Sequence, residues 1–413
     1  MAIAVTDPLD RIIGLDPAAI ADPYPLLREL RERDPVHLRP MANGTRHWHL
    51  TRYADITAAL RDPRFSADRA HGDRTAAVVA LAPEDLRESV RAILGLINLW
   101  MLRRDPPDHT RLRALVSKAF TPRVIAAMRG RIETVVNELL DAVQDAGRMD
   151  VIADLAYPLP TIVIAELLGV PPEDRGLVKQ WSQAITRYFD DPLAAAQTWR
   201  SMEEMMEYLR DIIAAHRAQP GDDLLSALVV AEMEGDRLTE AELFANCVLL
   251  LWAGHETTTN LIGNGLLALL RHPDQCDLLR HDPALMPGAI EELLRYDGPV
   301  FAVFRLALAD MQIGGKVIRA GESLTLWNGA ANHDPAQFPA PDRLDITRAE
   351  NRHLAFGHGI HFCLGAALAR MEGQIALAAV LRRFPALHLA TEPVAWQLSW
   401  TFHTLKTFPV ALA

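Results

Sequence analysis

The sequence predicts a mainly helical fold with a smaller β-rich part, and three stretches of the chain indicate it. Residues 121–231 have a nearly continuous helical pattern of apolar side chains. A capping box then opens a very long helix over residues 239–271, whose apolar surface on all sides predicts burial. Residues 303–326 instead show alternating strands around a Gly314-Gly315 hairpin. The first 60 or so residues add a small mixed sheet region.

The overall composition limits the classes of partner. Half of the 413 residues are hydrophobic, which supplies ample core material for a globular protein. The formal charge of −11 and the pI near 5.8 argue against nucleic acid or an anionic membrane as the main partner. The three cysteines, Cys247, Cys276 and Cys363, are few and widely spaced, so they suggest no disulfide framework and no cysteine-pair metal site. This cysteine usage is typical of a reducing cytoplasm.

No segment has the pattern of a signal peptide or a membrane anchor. The N-terminal residues contain acids and prolines where a signal peptide needs a basic start and an apolar run. The most apolar stretch, residues 243–253, is interrupted by Asn246 and followed by a polar sequence, so it is too short to span a bilayer. Residues 61–102 have irregular periodicity and are expected to form a long, partly apolar connection that could enclose a substrate.

A ten-residue segment near the C-terminus, residues 356–365, reads FGHGIHFCLG and is the strongest functional signal. A helix-forming pattern follows it, so the sulfur of Cys363 is expected at a helix N-terminus. Unpaired backbone N–H groups and the positive end of the helix dipole stabilise a thiolate there, ready to bind a metal. Gly357 and Gly359 allow a tight turn and a close approach to a flat ligand.

Three other clusters are ambiguous when each is taken alone. The AGHET motif, residues 253–257, and the two threonines after it put a glycine and three successive β-branched residues into the long helix, a local conflict expected at functional sites. His109 and Arg113 are four apart on one helix face and could grip a carboxylate, or be solvated surface charges. Glu292 and Arg295, three apart, usually form no more than an exposed pair.

Together, in this order and spacing, these motifs resemble the cytochrome P450 superfamily of the soluble bacterial type. FGxGxHxCxG is its haem-ligand signature, AGx(D/E)T its oxygen-binding motif and ExxR its structural ion pair. The resemblance covers residues from about 22 to the C-terminus. It implies a mainly α fold, a helical triangular prism with a smaller β-rich lobe, in a single domain over residues 1–413 without a fused reductase.

The resemblance also assigns roles to residues. Cys363 would be the axial thiolate of haem b, with Phe356 and Gly365 in the same loop. Glu256 and Thr257 would be catalytic in oxygen activation. Four residues would bind the haem propionates: His109, Arg113, Arg305 and His361. Glu292, Arg295 and Arg343 would form a structural triad, in which Arg343 comes from the segment after the strands.

By this resemblance the protein inserts one oxygen atom from O2 into a hydrophobic small molecule. Its electrons would come from a ferredoxin-type donor with its reductase. The long helix resembles macrolide-hydroxylating bacterial members most. Departures from the family pattern are His333, where relatives usually carry Arg, and Thr404, where many have Gly. The candidate walls of the substrate pocket, carried over by region, are apolar: Ala253, Val300, Phe301, Ala302, Val303 and Phe402.

Two alternatives remain open from the sequence. One is a peroxide-driven haem-thiolate peroxygenase, and the other is a haem-binding sensor or carrier without catalysis. Glu256 and Thr257 count against both, because peroxygenases of this superfamily lack the acid–alcohol pair and a carrier would have no use for it.

Overall fold

The structure, a computed structural model, describes residues 7–41, 45–68, 74–221, 224–233 and 238–412. The chain divides into two compact units. The mixed unit consists of Met1–Ser66, Val136–Ala156 and Thr257–Ala413, and the helical unit of Ala67–Val135 and Tyr157–Glu256. The prediction of one domain over the whole chain stays a prediction.

The mixed unit holds every strand that the structure describes. Its largest sheet has five strands, in which Arg46–Leu50 and Ser323–Trp327 run parallel and the other neighbours are antiparallel. In spatial order its strands are Val36–Pro40, Arg46–Leu50, Ser323–Trp327, Ala302–Ala307 and Phe65–Ser66. The smaller sheets pair Met311–Ile313 with Lys316–Ile318, Ala395–Trp396 with Leu405–Thr407, and Pro409–Ala411 with both Arg148–Asp150 and His388–Leu389.

Helices of the mixed unit pack on this sheet. Leu50, Ile56 and Leu324, all fully buried, belong to a core cluster between the sheet and the helix Tyr53–Arg61. The α-helices that lie wholly in this unit are Pro8–Ile13, Pro17–Ala21, Tyr24–Arg33, Tyr53–Arg61, Pro273–His281, Met286–Tyr296, Asn328–Asn332 and Ala366–Arg383.

The helical unit has no strand among its described residues. Its longest helix, Ala195–Ala218, packs along Arg175–Asp190 and buries Met202, Met205 and Leu209. The α-helices that lie wholly in this unit are Arg74–Leu81, Arg87–Ile97, Asp108–Ala119, Pro122–Ala127, Pro158–Leu167, Arg175–Asp190, Ala195–Ala218 and Leu224–Met233.

Two helices continue from one unit into the other, Arg129–Asp141 and the long helix Glu240–Arg271. The predicted capping box of the long helix is confirmed: Thr239 N donates to Glu242 Oε2 at 2.9 Å, and Glu242 N to Thr239 Oγ1 at 3.2 Å. Among the helices of the described residues, none combines the length and apolar character that crossing a membrane requires.

The prediction for residues 61–102 was wrong where the structure describes them. Two helices, Arg74–Leu81 and Arg87–Ile97, lie in this stretch. The second buries Val90, Ile93 and Ile97 at helical spacing, an amphipathic pattern that the surrounding irregular residues obscure. The predicted hairpin is confirmed, because Gly314 and Gly315 have φ of +55° and +77° between two paired strands.

Candidate active site

The Cys loop, residues 356–365, is a closed turn that ends just before a helix. Cys363 N donates to Phe356 O at 2.9 Å, and one 3-10 turn, Gly359–His361, lies between them. The helix Ala366–Arg383 begins three residues after Cys363, with Gly365 at its N-cap. The sulfur therefore lies next to a helix N-terminus, as the sequence predicts, in a loop that leaves Cys363 partly exposed.

Two glycines shape this loop in different ways. Gly357 and Gly359 both have left-handed backbones, with φ of +70° and +72°. At Gly359 a Cβ would also lie 2.6 Å from the carbonyl oxygen of Leu60, which is backbone and cannot turn aside. Next to it, Arg61 Nε donates to His358 Nε2 at 2.5 Å. The C-terminal end of the helix Tyr53–Arg61 therefore fixes the outer side of the loop.

The start of the loop is held by an ion pair. The Arg370 guanidinium lies 4.5 Å from the centre of the Phe356 ring and donates twice to Glu291, from Nε at 2.6 Å and from Nη2 at 2.8 Å. His353 Nε2 is 3.2 Å from the same carboxylate. Burial alone would raise the pKa of Glu291, but the bonds from Arg370 and His353 outweigh it and lower that pKa to about 2.

The structural triad differs from the prediction in its third member. Glu292 and Arg295 form the expected pair, but the side chain that joins them is Arg348, whose Nε lies 3.0 Å from Glu292 Oε2. Arg343 is exposed and contributes only its backbone carbonyl, which accepts from Arg295 Nη2 at 3.1 Å. The assignment of the Arg343 side chain was therefore wrong, because it extends into solvent while Arg348 turns inward.

The AGHET motif lies in an uninterrupted part of the long helix. Ala253, Gly254 and Thr257, which share one helix face, are partly exposed, whereas the flanking turns are buried. A Cβ at Gly254 would lie 2.9 Å from Ile164, so close packing requires this glycine. The poor local propensity does not break the helix, because the burial of the flanking turns outweighs it.

The acid of this motif has buried polar neighbours in the helical unit. Glu256 is buried, and its Oε2 lies 3.6 Å from His255 Nε2. His255 Nδ1 donates to Leu251 O at 2.9 Å, and burial lowers the pKa of His255 to about 4, which keeps the ring neutral. Burial raises the pKa of the nearby Tyr157, and the charge of Glu256 adds a smaller increase.

The predicted propionate partners lie in both units, and each is described where it lies. In the helical unit His109, almost fully buried, and Arg113 are one turn apart on the helix Asp108–Ala119. Burial, together with the Arg113 charge, lowers the pKa of His109. In the mixed unit Arg305 lies in the strand Ala302–Ala307 and His361 in the Cys loop, both partly exposed.

The proposed pocket walls separate into two groups. Val300 and Phe402 pair in an isolated bridge and are partly exposed, as are Val303 and Ala253. Phe301 and Ala302 belong instead to a buried core cluster. These last two are therefore poorer candidates for a wall that a substrate touches. The core around Phe301 is tight: a Cβ on Gly329 would lie 2.7 Å from its ring.

The two departures from the family pattern have structural partners. His333 is buried, with Nδ1 3.0 Å from Asp342 Oδ1 and Nε2 2.8 Å from Tyr296 O. Thr404 Oγ1 accepts a bond from Asn260 Nδ2 of the long helix at 2.9 Å. Both residues therefore stabilise the mixed unit.

The donor set around Cys363 fits a metal held mainly by a macrocycle. Among the described residues there is no group of three or more His, Cys, Asp or Glu side chains that could hold an ion by themselves. A protein-only zinc site needs three or four such ligands, whereas haem iron needs one axial thiolate.

Comparisons with known proteins agree with this geometry. A family model described as Cytochrome P450 matches residues 97–395. Cytochrome P450 107B1 of Saccharopolyspora erythraea is 45% identical over 404 residues, 97% of each chain. The 6-deoxyerythronolide B hydroxylase of the same organism is 42% identical over 399 residues, 95% of this chain and 96% of the relative. The solved structure of myxobacterial CYP267B1 with myristic acid has a TM-score of 0.86 and 40% identity, covering 97% and 98% of the two chains.

Proposed function

This chain belongs to the cytochrome P450 family and is a haem-thiolate monooxygenase, and from that premise we propose that Cys363 is the ligand of its haem iron. The observation that carries this proposal is the contrast among the three cysteines. Cys247 and Cys276 are buried, and burial raises the pKa of both thiols, that of Cys247 to about 12. Cys363 alone is partly exposed and precedes a helix N-terminus, where a thiolate is stabilised.

The enzyme inserts one oxygen atom from O2 into a hydrophobic organic substrate, with electrons from a redox partner. The predicted resemblance to macrolide-hydroxylating bacterial members is confirmed. Bound haem, most simply haem b, supplies the oxygen activation. We assign two steps to this chain's own groups: Thr257 Oγ1 donates and accepts hydrogen bonds on the partly exposed helix face, and the Glu256 carboxylate exchanges protons.

Four cationic or potentially cationic side chains are proposed to bind the two haem propionates: His109, Arg113, Arg305 and His361. Their chemistry supports the assignment, because charge-assisted bonds to a carboxylate are about twice as strong as neutral ones. The motif correspondence is the second support. Phe356 and Gly365 are proposed to contact the macrocycle from the Cys loop.

The finer identity of the partners is also a proposal. A ferredoxin-type donor with its reductase would deliver the electrons, as in the soluble bacterial members that the sequence resembles. A cytoplasmic location is supported by the absence of cysteine pairing among three free thiols. The relatives that hydroxylate 6-deoxyerythronolide B or bind myristic acid support a macrolactone or a fatty acid as substrate class.

The experiment that tests this function compares two oxidant systems on the purified, haem-loaded protein. One contains NAD(P)H, a ferredoxin and its reductase, and the other contains hydrogen peroxide alone. We expect product from decanoic acid, myristic acid or 6-deoxyerythronolide B only with the redox proteins. Product formation by peroxide alone would favour a peroxygenase, and binding of all three compounds without product in either system would favour a carrier.

A further inference from the structure

Arg103, in the helical unit, is a partly buried arginine that has no carboxylate partner among the residues the structure describes. Two other arginines of the same region have carboxylate partners: Arg104 lies 3.7 Å from Asp68, and Arg111 contacts Glu242. Burial lowers the pKa of Arg103, and the ionisable group that opposes this is the hydroxyl of Tyr188. The guanidinium is therefore partly desolvated without a compensating anion, which is costly.

The turn that carries Arg103 begins at an aromatic cluster, which is formed by Trp100, Tyr188, Phe189 and Trp252. Trp252 stacks on Trp100 with ring centres 5.4 Å apart and on Phe189 at 5.0 Å, and Tyr188 meets Phe189 edge-on at 5.9 Å. Trp100 caps the 3-10 turn Met101–Arg103, and side chains three apart in such a turn eclipse each other. We therefore infer that Arg103 projects on the same side of the turn as Trp100.

Trp100 carries a second uncompensated donor. Its side chain is almost fully buried, and its Nε1 has no hydrogen-bond partner. By contrast, Trp252 Nε1 donates to Thr186 Oγ1 at 3.0 Å. Buried indole N–H groups usually find a partner, so the one on Trp100 is an exception that calls for an acceptor.

The long helix fixes the turn that carries both donors. Met101 N donates to Asn246 Oδ1 at 3.0 Å, and Asn246 Nδ2 donates to Leu99 O at 3.4 Å and to Glu242 O at 2.8 Å. The backbone on both sides of Trp100 is thus tied to one buried side chain. The backbone of the turn is therefore fixed before any ligand arrives, which reduces the ordering cost of binding.

We propose that Arg103 and the aromatic cluster recognise the carboxylate of a hydrophobic organic acid, which makes an acid, and not a neutral lipid or terpene, the preferred ligand of this enzyme. The inference deepens the proposed function and rests on it for the view that such a ligand is a substrate. The guanidinium supplies a planar, two-point donor for the carboxylate, and the aromatic rings contact the apolar chain next to it. The indole N–H of Trp100 is a third donor on the same side.

The test compares one acid with its neutral isostere on the haem-loaded protein. Myristic acid and myristamide are titrated below their aggregation limits at pH 8, with binding read both by calorimetry and by the change in the haem spectrum. Wild type is expected to bind the acid roughly tenfold to a hundredfold more tightly than the amide. Arg103→Gln should lose that preference while keeping its affinity for the amide, and Arg103→Lys should keep part of it.

Arg104→Gln is the matched control, because it removes the same charge at the next residue, and Arg104 already has a carboxylate partner in Asp68. We expect it to keep the preference for the acid. An unchanged acid preference in Arg103→Gln would overturn the proposal. A loss of haem from Arg103→Gln would also overturn it, because Arg103 would then be a propionate partner. An equal loss of amide binding would overturn it as well, because it would mean that the turn has collapsed.

The same samples separate this inference from the proposed function. The calorimetric preference for the acid does not depend on which residue binds iron, whereas the long-wavelength band of the ferrous carbonyl complex does. Wild-type protein that shows the band but no acid preference contradicts only the inference. Protein that prefers the acid without the band contradicts only the proposed function.

Discussion

Glu292 and Arg295 form a two-point ion pair whose side chains are both fully buried, with Nε–Oε2 and Nη2–Oε1 distances of 2.8 Å. A buried pair is tolerable only when its remaining donors and acceptors are satisfied. Arg295 Nη1 donates to two backbone carbonyls, and Glu292 also accepts from Arg348 and from the amide of Asn351. The pair is therefore the centre of a network that joins the helix Met286–Tyr296 to the segment before the Cys loop.

Arg348→Ala should destabilise the protein by about 2 kcal/mol, because it removes a charge-assisted bond from a buried carboxylate. Arg343→Ala should change the free energy of unfolding by less than about 0.5 kcal/mol, since only its backbone takes part. Urea unfolding of the two variants beside wild type checks both values. Equal effects of the two substitutions would contradict the assignment of Arg348.

This triad illustrates how far the sequence reaches. The spacing of Glu292 and Arg295 on one helix allowed a pair, but its structural role was predicted only from the family resemblance. The third arginine could not be predicted, because Arg343 and Arg348 lie in the same irregular segment and no periodicity indicates which side chain turns inward. The Arg370–Glu291 pair that holds Phe356 was missed for a similar reason, since its members are 79 residues apart.

Glu291 should make stability depend on pH in the acid range. Its folded pKa is about 2, below the ordinary value near 4.3, so its contribution is complete above about pH 4.5 and lost as pH falls through 2. With 28% of the side chain exposed, we expect on the order of 2 kcal/mol. Wild type should therefore lose its advantage in unfolding free energy over Glu291→Gln between pH 5 and 2.

The control for this measurement is Glu350→Gln, which changes a carboxylate with 86% of its side chain exposed. That variant should follow wild type at every pH. If Glu291→Gln also ran parallel to wild type from pH 5 to 2, the ion pair with Arg370 would not contribute to the stability of the loop.

Gly359→Ala should destabilise the Cys loop by at least about 2 kcal/mol. The alanine would have to keep the left-handed backbone of Gly359, and its Cβ would lie 2.6 Å from the Leu60 carbonyl oxygen. Neither cost can be relieved by a side-chain rotation. Gly95→Ala is the matched control, because its Cβ meets nothing within 4 Å and it lies within a helix. Thermal unfolding should show a lower Tm for the first variant only, and equal Tm values would argue against the close approach.

Thr257→Ala should still bind substrate and consume NAD(P)H, but divert much of the reducing power to hydrogen peroxide. The reason is that proton delivery in an apolar site depends on a fixed hydroxyl, because free water must be kept out. Glu256→Gln should instead slow turnover, because an amide cannot exchange the proton. Product, peroxide and NAD(P)H are measured together in each variant, with the exposed Thr134→Ala as control. Unchanged coupling in Thr257→Ala would leave Thr257 with only a structural role.

The AGHET motif shows a second limit of sequence reasoning. Poor helix propensity in the sequence marks this segment as a local conflict within the long helix. The structure keeps the helix intact and explains Gly254 by the packing of Ile164, a contact between residues 90 positions apart. Local propensity therefore identifies an unusual segment, but only tertiary packing explains why the helix stays intact.

The most direct test of the central claim is the absorption spectrum of the ferrous carbonyl complex in single cysteine variants. Because the long-wavelength Soret band requires thiolate donation to iron, Cys363→Ser should abolish it. Cys247→Ser and Cys276→Ser, which alter the two buried thiols, should keep the band whenever they retain haem. A Cys363→Ser protein that binds haem and still shows the band would contradict the assignment of Cys363 as the iron ligand.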